Sequence, residues 1–130
     1  MTAKLLRDYC LSKLGAKQEF PFGPETEVFK VGGKIFAILY EDYGAARISL
    51  KCEPALADML RQRYNWVNPG YHMNKLHWNT LYLSGDNFDE DFADEDIEDI
   101  YEQIDHSHEL IFRSLTKKTQ KQLEAENHPL

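Results

Sequence analysis

The side chains best suited to binding chemistry lie close together, in residues 70–78. This stretch combines two histidines, an amide, an ammonium group and two aromatic rings. Such groups donate hydrogen bonds to phosphates or bases and stack on rings. They are His72, Asn74, Lys75 and His77, with the rings of Tyr71 and Trp78. The pattern indicates a ligand-contacting loop, and the alternative is that Met73 and Trp78 pack in the core while the polar groups hold the loop.

A second set of cations belongs to a predicted strand, residues 47–52. Apolar and polar residues alternate there, which predicts Arg47, Ser49 and Lys51 on one face of the sheet. Lysine and arginine supply most of the nonspecific affinity for nucleic acid, because they neutralise phosphates. Together with Lys75, this face predicts a modest basic patch, and the alternative is an ordinary solvated face.

The acidic residues are concentrated in one segment. Residues 85–112 contain 12 Asp and Glu and no Lys or Arg, in a chain of net charge −7. DNA binding therefore requires these carboxylates to face away from the contact surface. Clustered carboxylates can also bind hard cations or basic partners, but an exposed helix face is typically only solvated. The carboxylates predicted on the outer side of the last helix are Asp91, Glu95, Glu98, Asp99, Glu102 and Asp105.

Enzyme motifs are missing from the sequence. It has no nucleophile elbow, phosphate loop, HExxH pattern or paired cysteines, so we expect no enzyme activity, catalytic residue or cofactor. His72 and His77 are five residues apart without an adjacent carboxylate or thiolate, so no metal site is predicted there. Cys10 and Cys52 have no evident activating base. Two isolated thiols favour a reducing compartment, where they stay unpaired.

The first half of the chain predicts a helix followed by strands. Apolar residues recur at helical spacing from a Thr2 N-cap to Gly15. The segment Thr26–Val31 and residues 34–40 read as a β-hairpin, because Gly32-Gly33 accepts the positive φ angles of a tight turn. A two-residue turn would place Phe29 opposite Phe36.

The second half predicts two more helices around a strand. One helix begins at Pro54 with Leu56, Met59, Leu60 and Tyr64 as its apolar stripe. Asn68-Pro69-Gly70 reads as a turn, and residues 78–83 as a strand. A long helix begins between residues 89 and 94 and ends near residue 114. Its apolar seam comprises Ile97, Ile100, Tyr101, Ile104, His108, Ile111 and Leu115.

This element order predicts an α+β fold, with helices packed on one face of an antiparallel sheet. We expect one domain over residues 1–118 and a polar C-terminal tail over residues 119–130. The sequence shows neither a signal peptide nor an apolar run of membrane-spanning length, so we expect a cytoplasmic monomer with no membrane partner.

Several motifs in order resemble the MmcQ/YjbR family, from about residue 5 to residue 118. They are Phe22-Gly23-Pro24, FKVGGKIFA at residues 29–37, LKCEP at residues 50–54, GYHMNK at residues 70–75, His77-Trp78 and Ile104-Asp105-His106-Ser107. The resemblance implies a fold similar to CyaY and frataxin. It also implies a non-enzymatic DNA-binding protein with a regulatory role.

The resemblance associates five positions with a nucleic-acid surface, and the alternation of the strand adds Arg47 to them. The five are Lys51, His72, Asn74, Lys75 and His77. Two other functions stay open. One is a protein-interaction or metal-binding module that uses the acidic last helix. The other is a small-molecule-binding domain that uses Trp78, His72 and His77, which would require a deep pocket at that motif.

Overall fold

A computed structural model describes residues 2–42, 45–71, 73–83 and 94–126 of the chain. Within these residues the fold is α+β, as predicted, with an antiparallel sheet and helices. The elements in chain order are α1 (Ala3–Leu11), β1 (Lys17–Glu19), β2 (Thr26–Val31), β3 (Lys34–Asp42), β4 (Ala45–Lys51), α2 (Pro54–Arg63), β5 (Val67–Pro69), β6 (Trp78–Tyr82), α3 (Asp94–Ser114) and α4 (Lys117–Glu126). The segment 84–93, which includes Asp91 and the earliest predicted start of the last helix, lies outside the described residues.

The six strands form one antiparallel sheet in the order β1-β2-β3-β4-β6-β5. Its interior strands β2, β3, β4 and β6 are the longer ones, while the edges β1 and β5 have three residues each. The sequence analysis missed β1. It also assigned Asn68 and Pro69 to a turn, whereas they form edge strand β5. A proline is tolerated at a sheet edge because no neighbour needs its missing N–H.

One face of the sheet carries the helices. Ile48 and Leu50 of β4 are buried there, in a core shared with Leu6 of α1, Leu60 of α2 and Ile104 of α3. Strand residues alternate between faces, so Arg47, Ser49 and Lys51 lie on the opposite face, as predicted. We call this opposite side of β3, β4 and β6 the open face.

The predicted hairpin forms, but its register differs from the expectation. Phe29 pairs with Ala37 rather than Phe36, because a β-bulge shifts the register between Phe29 and Lys30. A bulge inserts one extra residue in one strand and leaves part of its backbone unpaired. Here the Phe36 carbonyl accepts a hydrogen bond of 2.6 Å from the Ser107 hydroxyl of α3. The same hydroxyl accepts a bond of 2.9 Å from the Lys51 amide of β4.

The glycine pair at the hairpin turn is required by conformation and by space. Gly32 and Gly33 have φ angles of 57° and 82°, where other residues are strained. A Cβ on Gly32 would lie only 2.6 Å from Cδ1 of Leu115, just after α3. The turn is therefore in direct contact with the end of the long helix.

The helices match the prediction in their apolar seams more closely than in their ends. Thr2 caps α1, accepting the Leu5 amide, but the helix ends at Leu11 rather than at Gly15. In α2 Leu60 is buried, while Met59 is 52% exposed and lies on the solvent side, contrary to the prediction. The seam of α3 is confirmed by the burial of Ile100, Ile104, His108 and Ile111.

The C-terminal helix α4 packs on the domain. The amide of Gln120 donates to the Leu115 carbonyl at 2.8 Å, and Leu123 packs against the core. The predicted boundary at residue 118 falls within this helix. No helix in the described part of the chain is long and apolar enough to cross a membrane.

His108 makes the stability of the fold sensitive to pH. Its Nε2 lies 2.7 Å from the Leu14 carbonyl, which fixes it as a donor, and its ring packs edge-on against Phe36. Burial lowers the pKa of His108 below its ordinary 6.5, although the Leu14 carbonyl opposes the shift. The unfolded chain therefore binds a proton at this residue more readily than the folded chain does. The contribution of neutral His108 to stability is fully present above about pH 6.5, and it is lost as the pH falls toward the pKa of the folded state.

We expect the free energy of unfolding to fall between pH 7.5 and pH 5.5, with a slope of at most about 1.4 kcal/mol per pH unit from this residue. Urea unfolding at several pH values measures the slope. His108→Phe removes the titrating group and should flatten the slope over this range. His106→Gln on the same helix is the control and should retain the slope. An unchanged slope in His108→Phe would contradict the assignment.

Candidate nucleic-acid interface

The open face presents two cross-strand pairs, each of one cation and one aromatic ring. Arg47 of β4 pairs with Tyr82 of β6, and Lys51 pairs with Trp78 four residues further along. All four side chains are partly exposed. The strands therefore place positive charge beside ring surface at two points of one sheet.

Between these two pairs, the open face carries two hydroxyl groups that bond to each other. The hydroxyls of Ser49 and Thr80 lie 2.8 Å apart, and both side chains are fully buried. The Thr80 hydroxyl also accepts the Tyr71 amide at 2.9 Å. This bond brings the chain after β5 across the open face, so that the Tyr71 ring lies over Arg47.

The Arg47 guanidinium lies near two aromatic rings, and one of its nitrogens has no hydrogen-bond partner among the described residues. Its guanidinium carbon lies 4.6 Å from the centre of the Tyr40 ring and 4.8 Å from that of Tyr71. Burial raises the pKa of Tyr40, so this phenol stays neutral beside the cation. The Arg47 Nε is buried and has no hydrogen-bond partner within the part of the chain that the structure describes.

The predicted loop residues have structural bonds of their own. Oδ1 of Asn74 accepts the Leu76 amide at 3.0 Å, and Nζ of Lys75 donates to the Gly70 carbonyl at 3.0 Å. The carbonyl of His77 accepts the Cys52 amide at 2.8 Å. His72 lies outside the described residues. Polar side chains therefore fix the shape of this loop, while Asn74 and Lys75 stay exposed and Met73 and Trp78 are only partly buried.

Arg61 of α2, which the sequence analysis missed, positions this loop. Its Nε donates to Oδ1 of the buried Asn79 at 2.6 Å, and its Nη2 donates to the carbonyls of Trp78, at 3.1 Å, and Lys75. One guanidinium thus joins α2 to β6 and to the preceding loop. Nothing in the local spacing distinguishes it from Arg63, which is exposed two residues later.

The acidic helix is less uniformly solvated than predicted. Glu95, Glu98 and Glu102 are exposed. Asp105, however, accepts bonds from the Tyr9 hydroxyl at 2.7 Å and from Nζ of Lys13 at 2.6 Å. Asp99 accepts a bond from the Tyr64 hydroxyl. These two carboxylates hold α3 to its neighbours, because their side of the helix meets α1 and α2. Among the described residues no cluster of three or more His, Cys, Asp or Glu could hold a metal ion.

Two cavities of moderate size lie away from the predicted loop. One, of about 280 Å³, lies between α4 and the strands β1 and β2, with Lys17, Lys30 and Leu123 in its lining. The other, of about 220 Å³, lies between α2 and α3, lined by residues that include Leu60, Gln103 and His106. Neither is lined by Trp78 or His77, so they give no support to a small-molecule pocket at that motif.

The cysteines do not add a nucleophile to the surface. Cys10 and Cys52 are both free and buried. Burial raises the pKa of Cys10 to about 12 and that of Cys52 to about 11. Thiols are nucleophilic as thiolates, so neither group is activated at neutral pH.

Comparison with known proteins shows similarity along most of the chain. A family model described as YjbR matches residues 11–110. The chain is 38% identical over 104 residues to the uncharacterized protein YbdF of Escherichia coli O157:H7, covering 80% of this chain and 79% of that protein. It is 40% identical over 85 residues to the uncharacterized protein YjbR of Escherichia coli strain K12, covering 65% of this chain and 72% of that protein.

Solved structures give the same result for the fold. The crystal structure of the Deinococcus radiodurans protein DR2400, with a domain described as DUF419, matches with a TM-score of 0.78 and 32% identity, covering 95% of this chain and 88% of that one. A crystal structure of a Pseudomonas syringae protein matches with a TM-score of 0.67 and 27% identity, covering 85% of this chain and 99% of that one. The likeness to CyaY and frataxin stays a prediction.

Proposed function

The chain belongs to the YjbR family, and from this premise we propose that it is a non-enzymatic DNA-binding protein with a regulatory role. Its contact surface is the open face, where Arg47 and Lys51 bind phosphates. Asn74, Lys75 and His77 extend this surface along the neighbouring loop. The free thiols of Cys10 and Cys52 are consistent with the cytoplasm as its compartment.

The observation that carries the proposal is the Arg47 side chain, whose buried Nε has no hydrogen-bond partner among the described residues. A half-buried cation normally has a carboxylate or carbonyl partner, because desolvating it alone is costly. Near Arg47 the described residues provide the rings of Tyr40 and Tyr71. A phosphate that reaches this side chain would accept from the terminal N–H groups of its planar guanidinium, a geometry that favours Arg over Lys.

The placement of charge is consistent with the proposal. Helix α3 is bonded through Ser107 to the helix-bearing side of β3 and β4. Its exposed Glu95, Glu98 and Glu102 therefore lie on the other side of the sheet from Arg47 and Lys51. The acidic charge of α3 thus lies away from the proposed phosphate contacts, as DNA binding requires.

Salt-dependent binding tests this proposal. With three or four phosphate contacts, the slope of log K against log salt should be about −3 to −4, since each contact contributes roughly −0.9. Lys51→Gln should weaken binding and reduce the slope by about one. Arg47→Lys should weaken binding with little change in slope, because it keeps the charge but loses the planar N–H edge.

Fluorescence anisotropy with labelled DNA at several salt concentrations measures both quantities. Lys118→Gln, which removes an exposed charge from α4, is the matched control and should bind like the wild-type protein. Circular dichroism confirms that each variant is folded. Absence of binding at low salt by folded wild-type protein would reject the proposal, and equal effects of Lys51→Gln and Lys118→Gln would reject this face as the site.

A further inference from the structure

We infer that the open face binds single-stranded DNA in preference to duplex DNA, with Trp78 stacking on an unpaired base. This inference rests on the proposed function and adds the form of the nucleic acid. It follows from the placement of Arg47 and Lys51 on the open face and from the partial exposure of Trp78.

The shape of the face is the first argument. Arg47 and Lys51 lie on one strand, four residues and therefore about 13 Å apart. Their partners Tyr82 and Trp78 lie on the adjacent strand, with Cα atoms about 5 Å from those of the two cations. The major groove of a duplex admits a helix or a two-stranded ribbon but not the middle of a six-stranded sheet. A single strand can lie flat across such a surface.

The second argument is the fixed position of Trp78. The Gly70 amide donates to the Trp78 carbonyl at 2.8 Å, and a Cβ on Gly70 would lie 2.8 Å from the Cβ of Trp78. Arg61 holds the same carbonyl from α2. The backbone of Trp78 is thus held by β5 and α2 while its indole stays partly exposed. In a duplex, base faces are covered by their neighbours, so a protein ring on a flat surface can stack only on an unpaired base.

The two cations and the ring have separate roles. The guanidinium of Arg47 already lies near the rings of Tyr40 and Tyr71, so its role is to bind phosphate rather than to stack on a base. Lys51, beside Trp78, can bind the phosphate of the nucleotide whose base stacks on the indole. The open face can thus bind a phosphate and stack on a base at adjacent points. None of these contacts would distinguish one base from another.

Three DNA probes with the same label test the inference; the two single strands carry equal numbers of phosphates, and the duplex carries about twice as many. They are a 12-nucleotide single strand, the same strand in a duplex, and a strand of equal length that lacks its bases. One stacked base is worth roughly 5- to 150-fold in affinity. We therefore expect the single strand to bind at least about tenfold more tightly than the strand without bases, and more tightly than the duplex.

Variants of Trp78 identify the ring. Trp78→Leu should reduce the preference for the intact single strand over the strand without bases to less than about threefold, and Trp78→Phe should retain part of it. Phe22→Leu, which changes a ring that is 69% exposed on the loop before β2, is the control and should leave the preference unchanged. Trp78→Phe also keeps the test decisive if Trp78→Leu fails to fold.

The outcomes separate the two proposals. Duplex binding that equals or exceeds single-strand binding, or a preference that survives in Trp78→Leu, would overturn this inference and leave the proposed function standing. No binding to any of the three probes by folded protein would overturn both. If the strand without bases binds as tightly as the intact single strand, phosphate contacts alone act on this face, and the inference is also overturned.

Discussion

Replacing Ser107 with alanine is expected to lower the free energy of unfolding by about 2–4 kcal/mol, although the change removes one oxygen atom. The Ser107 hydroxyl donates to the Phe36 carbonyl and accepts the Lys51 amide, and the side chain is fully buried. Alanine would leave two buried backbone groups on different strands without these partners. Each such group costs about 1–3 kcal/mol, and water cannot replace the hydroxyl without a cavity of sufficient size.

Ser114→Ala is the matched control for this variant. Ser114 lies on the same helix and is exposed; its hydroxyl donates to the Ile111 carbonyl within its own helix and accepts an exposed bond of 3.3 Å from Nζ of Lys34. Its loss should change stability by less than about 0.5 kcal/mol, as at most surface positions. Urea unfolding of both variants gives the comparison. Equal effects of the two serines would contradict the role assigned to the Ser107 hydroxyl at the bulge.

The second large effect is expected from Arg61→Leu, at about 2–4 kcal/mol. Arg61 donates to Asn79, which is only 1% exposed, and to the backbone carbonyls of Trp78 and Lys75. Leucine keeps the apolar stem but leaves the Asn79 oxygen without this donor in a buried place, which is costly. The loop before β6 would also lose its bond to α2.

Arg63→Leu distinguishes this from a general effect of charge. Arg63 is exposed at the end of α2, and its guanidinium carbon lies 5.2 Å from the centre of the Tyr64 ring. An exposed cation–π contact contributes about 0.5–1 kcal/mol, so the loss should be smaller. Thermal unfolding and amide hydrogen exchange of residues 73–77 report stability and loop order separately. Unchanged exchange in Arg61→Leu would refute its positioning role.

The sequence predicted the elements with a strong local signal. Two glycines between apolar runs placed the hairpin turn, and isoleucines at intervals of three and four identified the buried seam of α3. It could not predict the pairing of Phe29 with Ala37, because a bulge depends on the partner that its free carbonyl finds. That partner is Ser107, 71 residues away along the chain. Edge strand β5 was missed for a similar reason, since only its pairing with β6 makes Asn68-Pro69 extended rather than a turn.

The candidate site was predicted by residue type but not by arrangement. Strand alternation placed Arg47 and Lys51 on one face, as the structure has them. Of the two rings near Arg47, Tyr40 is its cross-strand partner on β3, while Tyr71 comes from a loop 24 residues later that no spacing rule relates to Arg47. Met59 shows the same limit in α2. Its apolar character predicted burial, but the neighbouring elements left that side of the helix uncovered.

The two short edge strands limit how copies of this chain can associate. Exposed strand edges are templates on which further chains add, as in domain swapping and amyloid. In the described part of the chain each edge offers only three residues. One edge consists of Lys17, Gln18 and Glu19, and the other ends at Pro69, which has no amide hydrogen to share. A foreign strand would gain few hydrogen bonds at either end. The long, β-prone sequences of β3 and β4 lie inside the sheet, and folding itself thus shields the most aggregation-prone part of the chain.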